Sequence, residues 1–410
     1  MEKAPGRMND IRLLFSARII RLFCYGFLSV VLALYLVQIG LTEKWIGVIF
    51  SLTLAGDAVI SLWLTTSADR FGRRRTLIVG GLLMLGAGLV FILTRNPFIL
   101  AVAAIIGVIS PSGNEIGPFL SVEQASLTVL ASDQQRTRLF AWYALAGSLA
   151  TATGALSGGW LAQGLTRIGY SSLQAYKSVL AGYAVGGLLL ILLFLFLSPQ
   201  VELKPAETTP QKLFLGLHRS RSIVLRLSGL FAMDAFGGAL IVQSLLAYWF
   251  HVRFGADPGV LGSIFFGANI LAGFSALLAA RIAERFGLIR TMVFTHIPSN
   301  ILLILVPLMP TLPWAIGLLL ARFSISQMDV PTRQSYTMAV VAPDERSAAS
   351  GVTTIARSVG AALSPSLAGW LMAVPAFFSF PFFLSGGLKI VYDVLLFVSF
   401  RGLKPPEEKG

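Results

Sequence analysis

The sequence predicts an all-α transmembrane protein of about twelve spans arranged as two similar halves. Three observations lead there. Of its 410 residues, 55% are hydrophobic and 12% charged, with a mean hydropathy of +0.77, a balance ordinary soluble domains do not carry. Apolar runs of roughly 20 residues, the length a bilayer requires, alternate with short polar breaks. A charged turn between two such runs, Thr65 to Thr76 (TTSADRFGRRRT), returns 215 positions downstream as Ala280 to Thr291 (ARIAERFGLIRT), counting from Asp69 to Glu284.

The same numbers exclude other classes. A net charge of +13 might suggest nucleic acid as a partner. The basic residues, however, fall in alternate loops beside apolar runs, which is a pattern of topology and anionic-lipid contact. One cysteine, Cys24, rules out an internal disulfide, and three histidines (His218, His251, His296) write no metal motif. No cofactor and no resident metal are expected. The N-terminus has no cleavable-signal pattern, so the first span is expected to be retained.

Taken in order, span 1 runs from about Leu13 to Ile39 and carries Arg18 and Arg21. Span 2 covers about Ile46 to Ser67, the charged turn follows, and span 3 covers about Thr76 to Leu93. Span 4 starts after Pro97 and is read as one long helix to about Leu130, with Glu115 and Glu123 inside it. Spans 5 (about Leu139 to Leu161) and 6 (about Tyr176 to Leu197) close a first bundle, residues 1–199. Residues 200–221, where Pro, Glu, Lys, Thr and Gln replace the apolar run, read as a linker. Residues 222–410 repeat the scheme: span 7 from about Ser222, span 8 to Ala280, span 9 from Thr291, span 10 after Pro313, span 11 from about Ser347 and span 12 ending before Arg401. Lys and Arg cluster on the side of the charged turns and both termini, which is therefore expected to be cytoplasmic.

The turn resembles the loop signature of the major facilitator superfamily, G-x-x-x-D-R-x-G-R-R-x. Asp69, Arg70, Gly72 and Arg73 match it, and Thr65 stands where the family has glycine. The second copy keeps Glu284, Arg285 and Gly287. The resemblance implies the family's twelve-helix fold, two pseudo-symmetric six-helix bundles, with alternating access between them, proton coupling and a monomer in the cell (inner) membrane. It also implies a switch role for the turn residues. A second repeat joins span 5 to span 11: GALSGGWL, with Gly154, Gly158 and Gly159, matches SPSLAGWL, with Pro365 and Gly369. The former resembles the family's G-P-x-x-G-G antiporter motif with Ala155 in place of its proline; equally, it is a small-residue face for close helix packing.

Ionisable residues within spans are costly and mark functional positions. The 215-residue register carries Arg18 next to Asp234, whereas matching Tyr35 to Tyr248 carries Arg21 onto Asp234. Either arginine is thus a candidate partner of that acid. Glu115 and Asp329 are expected at similar depth, so these charges form either an ionic gate or a proton carrier, with Asp234 first and Glu115 second. Asp57 is expected to pair with Arg357 on span 11. Lys389 and Asp393, four apart on span 12, are expected to pair with each other, and His296 to pack at an interface. Candidate cavity residues are Arg322, Gln327, Gln243, Trp142 and Tyr143. No nucleotide-binding loop and no acid–base–nucleophile set is present, so the chain is expected to be no enzyme but a carrier of a small molecule and protons. Proton antiport exporting an organic solute or drug is the leading expectation. Uptake or uniport of an anionic metabolite, or divalent-metal export through Asp329, Glu115 and Asp234, are the rivals.

Overall fold

The computed structural model describes residues 5–115, 117–130, 133–202 and 217–403, with the side chains of residues 5–7, 65–67, 69–70, 133–138, 343 and 347 left aside. The described residues form helices joined by short turns. Span 1 is α1 (Pro5–Ser29) followed by α2 (Leu32–Gln38), bent by 46° at Val30 and Val31. Spans 2 and 3 are α3 (Glu43–Phe71) and α4 (Arg73–Leu93). Span 4 is not one helix but two, α5 (Pro97–Ile106) and α6 (Phe119–Leu130). Spans 5 and 6 are α7 (Asp133–Arg167) and α8 (Ser172–Leu195).

In the second half, span 7 is α9 (Arg221–Ala239) with α10 (Gln243–Phe254), and spans 8 and 9 are α11 (Pro258–Phe286) and α12 (Leu288–Leu305). Span 10 divides into α13 (Leu312–Phe323) and α14 (Asp329–Val340), followed by α15 (Arg346–Met372) and α16 (Phe380–Phe400). Among the described residues, eight stretches are long and apolar enough to cross a bilayer, and the bent α1–α2 pair makes a ninth. The other three of the twelve are the two split spans and α15, whose polar content includes Arg357. The breaks fall in spans 1, 4, 7 and 10, one in each three-span unit, as inverted-repeat carriers are built.

Span 4 breaks for a legible reason. Residues 107–118 contain Pro111, Pro118 and two glycines at positive φ, Gly113 (+71°) and Gly117 (+83°), which a helix cannot carry. Irregular backbone at membrane depth must find partners inside the protein. Here the Asp57 carboxylate accepts from the Gly117 N–H, and the Ser110 hydroxyl donates to Asn114 O at 2.8 Å. The Ser244 hydroxyl lies 2.7 Å from both Ser29 O and Pro111 O, and its own N–H donates to Pro111 O at 3.0 Å. One serine thus tends the breaks of spans 1 and 4.

Packing divides the chain into two compact units, 1–208 with 243–266 and 209–242 with 267–410. The cut passes through the break of span 7, so α10 packs with α1–α8 while α9 packs with α12–α16. Within each unit the closest helix pairs meet through glycine. A Cβ on Gly154 or Gly158 of α7 would lie 2.0 or 2.1 Å from the carbonyl oxygens of Phe23 or Phe27 on α1, and one on Gly360 of α15 would lie 2.2 Å from Ala232 O on α9. Gly159 faces Pro258 and Gly262 instead, and Pro365 sits inside α15.

Candidate functional site

Most of the charges buried in the described spans gather into two clusters, one in each unit. In the first, Arg18 Nη1 donates to Glu115 Oε2 at 2.7 Å, and Arg21 Nε donates to the other oxygen of the same carboxylate at 2.7 Å. Arg21 also grips Glu123 with both terminal nitrogens, at 2.6 and 2.8 Å. The Tyr143 hydroxyl donates to Glu123, and Tyr143 O accepts from Arg18 Nε at 2.8 Å. Both guanidinium groups lie over rings, Arg18 4.2 Å from Tyr143 and Arg21 4.5 Å from Phe119. Helical spacing explains the set: Arg18 and Arg21 share one face of α1, and Gly147 on α7 leaves room for Arg18, since a Cβ there would lie 2.7 Å from its Nε. The cluster holds two cations against two anions, all with little or no exposure.

In the second unit Asp234 is the hub. Its Oδ1 accepts from Lys389 at 2.8 Å, and its Oδ2 accepts from Arg333 at 3.1 Å and Arg357 at 3.0 Å, so cations from α16, α14 and α15 converge on one carboxylate of α9. Arg333 continues to Asp329, one turn back on α14, at 2.8 Å. His296 sits between two acids, with Nδ1 2.9 Å from Asp393 and Nε2 4.0 Å from Asp234, and Asn300 adds a bond to Asp393 at 3.3 Å. Arg333, Arg357 and Lys389 here meet Asp234, Asp329 and Asp393, and His296 lies between two of the acids. Around them Ser228, Ser299 and Ser385 bury hydroxyl oxygens to which the described residues offer no hydrogen-bond partner, positions suited to water.

Several expected pairings are corrected. Arg18 and Arg21 bond to Glu115 and Glu123, not to Asp234. Asp57 accepts from Gly117 and Ser61, and Arg357 donates to Asp234, so these two are not each other's partners. Lys389 turns from Asp393 to Asp234, and Asp393 is taken by His296. Asp393 stays satisfied without the lysine, through His296 at 2.9 Å and Asn300 at 3.3 Å, which frees Lys389 for the hub. Tyr143 is committed to Glu123, Gln243 donates to Ser29 Oγ at 2.7 Å, and Trp142 is exposed on α7. Arg322 lies over Phe323, and Gln327 is fixed by its backbone N–H on Ser275 at 3.3 Å.

The signature turns have one shape. In both, a single left-handed glycine joins two helices: Gly72 (φ +100°) between α3 and α4, and Gly287 (φ +86°) between α11 and α12. The side chains of Asp69 and Arg70 lie outside the described residues. The amides of Arg73 and Arg74, the first of α4, donate to Glu202 at 2.7 and 3.1 Å. Glu345, between α14 and α15, likewise accepts from the backbone N–H groups of His218, Arg219 and Ser220 ahead of α9. Burial alone would raise the Glu345 carboxyl, but these bonds prevail and hold it down at about 2. Sequence reasoning passed over Glu202, Glu345 and Arg333, and set Glu123 and Lys389 aside. Only Arg333 carried a signal, being an intramembrane arginine one turn after Asp329.

Among the described residues, eight or nine apolar spans, with breaks in spans 1, 4, 7 and 10 and charge clusters near them, make a polytopic membrane protein built as carriers are. Comparison with known proteins agrees. The family model described as Major Facilitator Superfamily matches residues 14–365 and 227–410, and the chain belongs to that family. An uncharacterized membrane protein of Saccharomyces cerevisiae is 32% identical over 425 residues, covering 96% of this chain and 95% of the relative. Among solved structures, a bacterial homolog of the human lysosomal transporter Spinster has a TM-score of 0.76 at 15% identity, over 98% of both chains. A nucleoside transporter has a TM-score of 0.75 at 14% identity, over 96% of this chain and all of its own. A D-xylose–proton symporter has a TM-score of 0.70 at 15% identity, over 97% and 98%. The protein is therefore a multi-pass membrane transporter and not an enzyme.

Proposed function

We propose that the chain is a secondary active carrier that exchanges protons for a small organic solute by alternating access. In this reading residues 1–199 and 222–410 rock about a linker at 200–221, and the chain works as a monomer in the cell membrane with both termini cytoplasmic. The observation that carries it is the hub at Asp234, one buried carboxylate on a broken span, held by Lys389, Arg333 and Arg357 from three helices. Protonation of this carboxylate, or its surrender of one cation to a solute, changes the charge balance among α9, α14, α15 and α16 at once. That is how a local event biases a two-state packing. Glu115, shared by Arg18 and Arg21, plays the matching part in the other unit. The turns at Gly72 and Gly287 are the hinges. The fold neighbours named as carriers of sugar with protons and of nucleosides support the class of cargo.

A second reading, a solute bearing a carboxylate or phosphate, is favoured by Arg357. Its side chain is 32% exposed while one nitrogen holds Asp234, leaving a guanidinium edge for an anion. Divalent-metal export is not carried forward: Asp234, Glu115 and Asp329 are each engaged by Lys or Arg, and among the described residues no group of three metal-binding side chains assembles.

The test is internal pH in proteoliposomes carrying a proton gradient, with cationic, anionic and neutral solutes added in turn to wild type and Asp234→Asn. Proton release by one solute class, lost in the variant, is the expected result. Solute movement with no proton movement in wild type would sink proton coupling. Unchanged release in Asp234→Asn would move the role to Glu115.

A further inference from the structure

We infer that the second unit carries a binding groove for a single anionic phospholipid, formed by α11, α12 and α16 beside the Gly287 turn. A cavity of about 600 Å3 opens there on the outer face of these helices. That lies within the range of about 300–1,000 Å3 usual for small-molecule sites. Its walls are Ile282 and Phe286 of α11, Phe294 of α12 and Phe397 of α16. Phe294 and Phe397 meet edge to face at 5.6 Å, a rigid aromatic wall. Thr291 and Thr295 also line it, with their hydroxyls already engaged by Gly287 O and Thr291 O at 2.8 and 2.7 Å. The lining is thus apolar along its length.

One end is charged. Arg290, in the first turn of α12, lines the cavity, and no described residue pairs with it. Two more guanidinium groups stand at the same end, Arg285 5.5 Å from the Phe286 ring and Arg401 6.0 Å from the Phe397 ring. Glu284 is the acid next to Arg285 in sequence. Phe286 and Phe294 are more than half exposed, on a surface that in a transporter of this family faces lipid. An apolar trough with cations at the membrane–water boundary suits acyl chain below and phosphate above. A soluble anion would leave the aromatic walls unused, and a neutral lipid would leave Arg290 unmet. The occupant's headgroup would rest against the second signature turn, coupling lipid to the hinge between α11 and α12.

The experiment is native mass spectrometry of the full chain released from nanodiscs of phosphatidylglycerol or phosphatidylcholine with the same acyl chains. We expect one phosphatidylglycerol retained per chain and phosphatidylcholine lost. Arg290→Ala should weaken retention about fivefold, the factor one cation near an anionic surface supplies. Thr295→Trp, which fills the trough and leaves every charge in place, should remove the lipid while the helical circular dichroism signal is kept. Equal retention of the two lipids, or retention unchanged in both variants, would overturn the inference. Neither outcome bears on proton exchange, which is read from proteoliposome pH.

Discussion

Arg21 and Glu123 have fully buried side chains in the first unit, and their two-point contact is the most enclosed of the ion pairs described. Such a pair is weak as a source of stability but costly to break, since the survivor is left charged and dry. Glu123→Gln leaves Arg21 only Glu115, which it shares with Arg18, and should destabilise the transporter by up to about 3 kcal/mol, read as a lower thermal midpoint of the purified protein. Arg21→Met combined with Glu123→Leu should recover most of that loss. A double variant no better than the single would show that Arg21 is not held chiefly by Glu123. The sequence marked Arg18, Arg21, Glu115 and Asp234 as the residues to watch but not their partners. Partner choice depends on where each helix breaks and turns, and offsets of 213 and 215 between repeats differ by half a turn, enough to point a side chain at a different neighbour. Arg333 was legible as an arginine one turn after Asp329 in span 10; what the sequence did not show is the break at residues 324–328, after which α14 restarts at Asp329.

The helices impose their own limits. Gly154 and Gly164 both lie on α7, yet a Cβ on Gly154 would meet Phe23 O at 2.0 Å, while nothing lies within 4 Å of one on Gly164. Gly154→Val should abolish the folded carrier on size-exclusion chromatography. Gly164→Ala should keep it and gain about 0.5–1 kcal/mol of helix propensity. The antiporter-like run in span 5 is thus at least a packing face, as the small residues alone suggested. At the start of α9, Glu345 supplies acceptors to three N–H groups, and its carboxyl is held at about 2 against an ordinary 4.5. A lowered folded-state value means the contribution is complete above about pH 4.5 and is lost as pH falls through about 2. Wild type should therefore lose thermal stability across that window, and Glu345→Gln should start lower and lose less. The element pattern itself was legible from hydropathy. The split of span 4 was not drawn, although its cause, Pro111, Gly113, Gly117 and Pro118, stands in the sequence. A run averaged for hydropathy hides its own breakers.

For the whole molecule, the balance of charge matters more than any one residue. Arg18 and Arg21 face Glu115 and Glu123 in one unit, and Arg333, Arg357 and Lys389 face Asp234, Asp329 and Asp393 in the other. Arg and Lys match Asp and Glu in number in each cluster, so each tolerates the loss of an opposite pair better than the loss of one charge. A carrier, however, works by letting that balance change as it cycles. Stability and transport should therefore separate. Asp234→Asn alone should lower the thermal midpoint, because Lys389 and Arg357 lose the carboxylate they hold while Arg333 keeps Asp329. Asp234→Asn with Lys389→Met should restore it by several degrees, yet remain without proton-driven flux in liposomes. If flux returned together with stability, the hub would be scaffolding for the fold, and the exchange of protons would have to be sought at Glu115 among α1, α6 and the broken backbone of span 4.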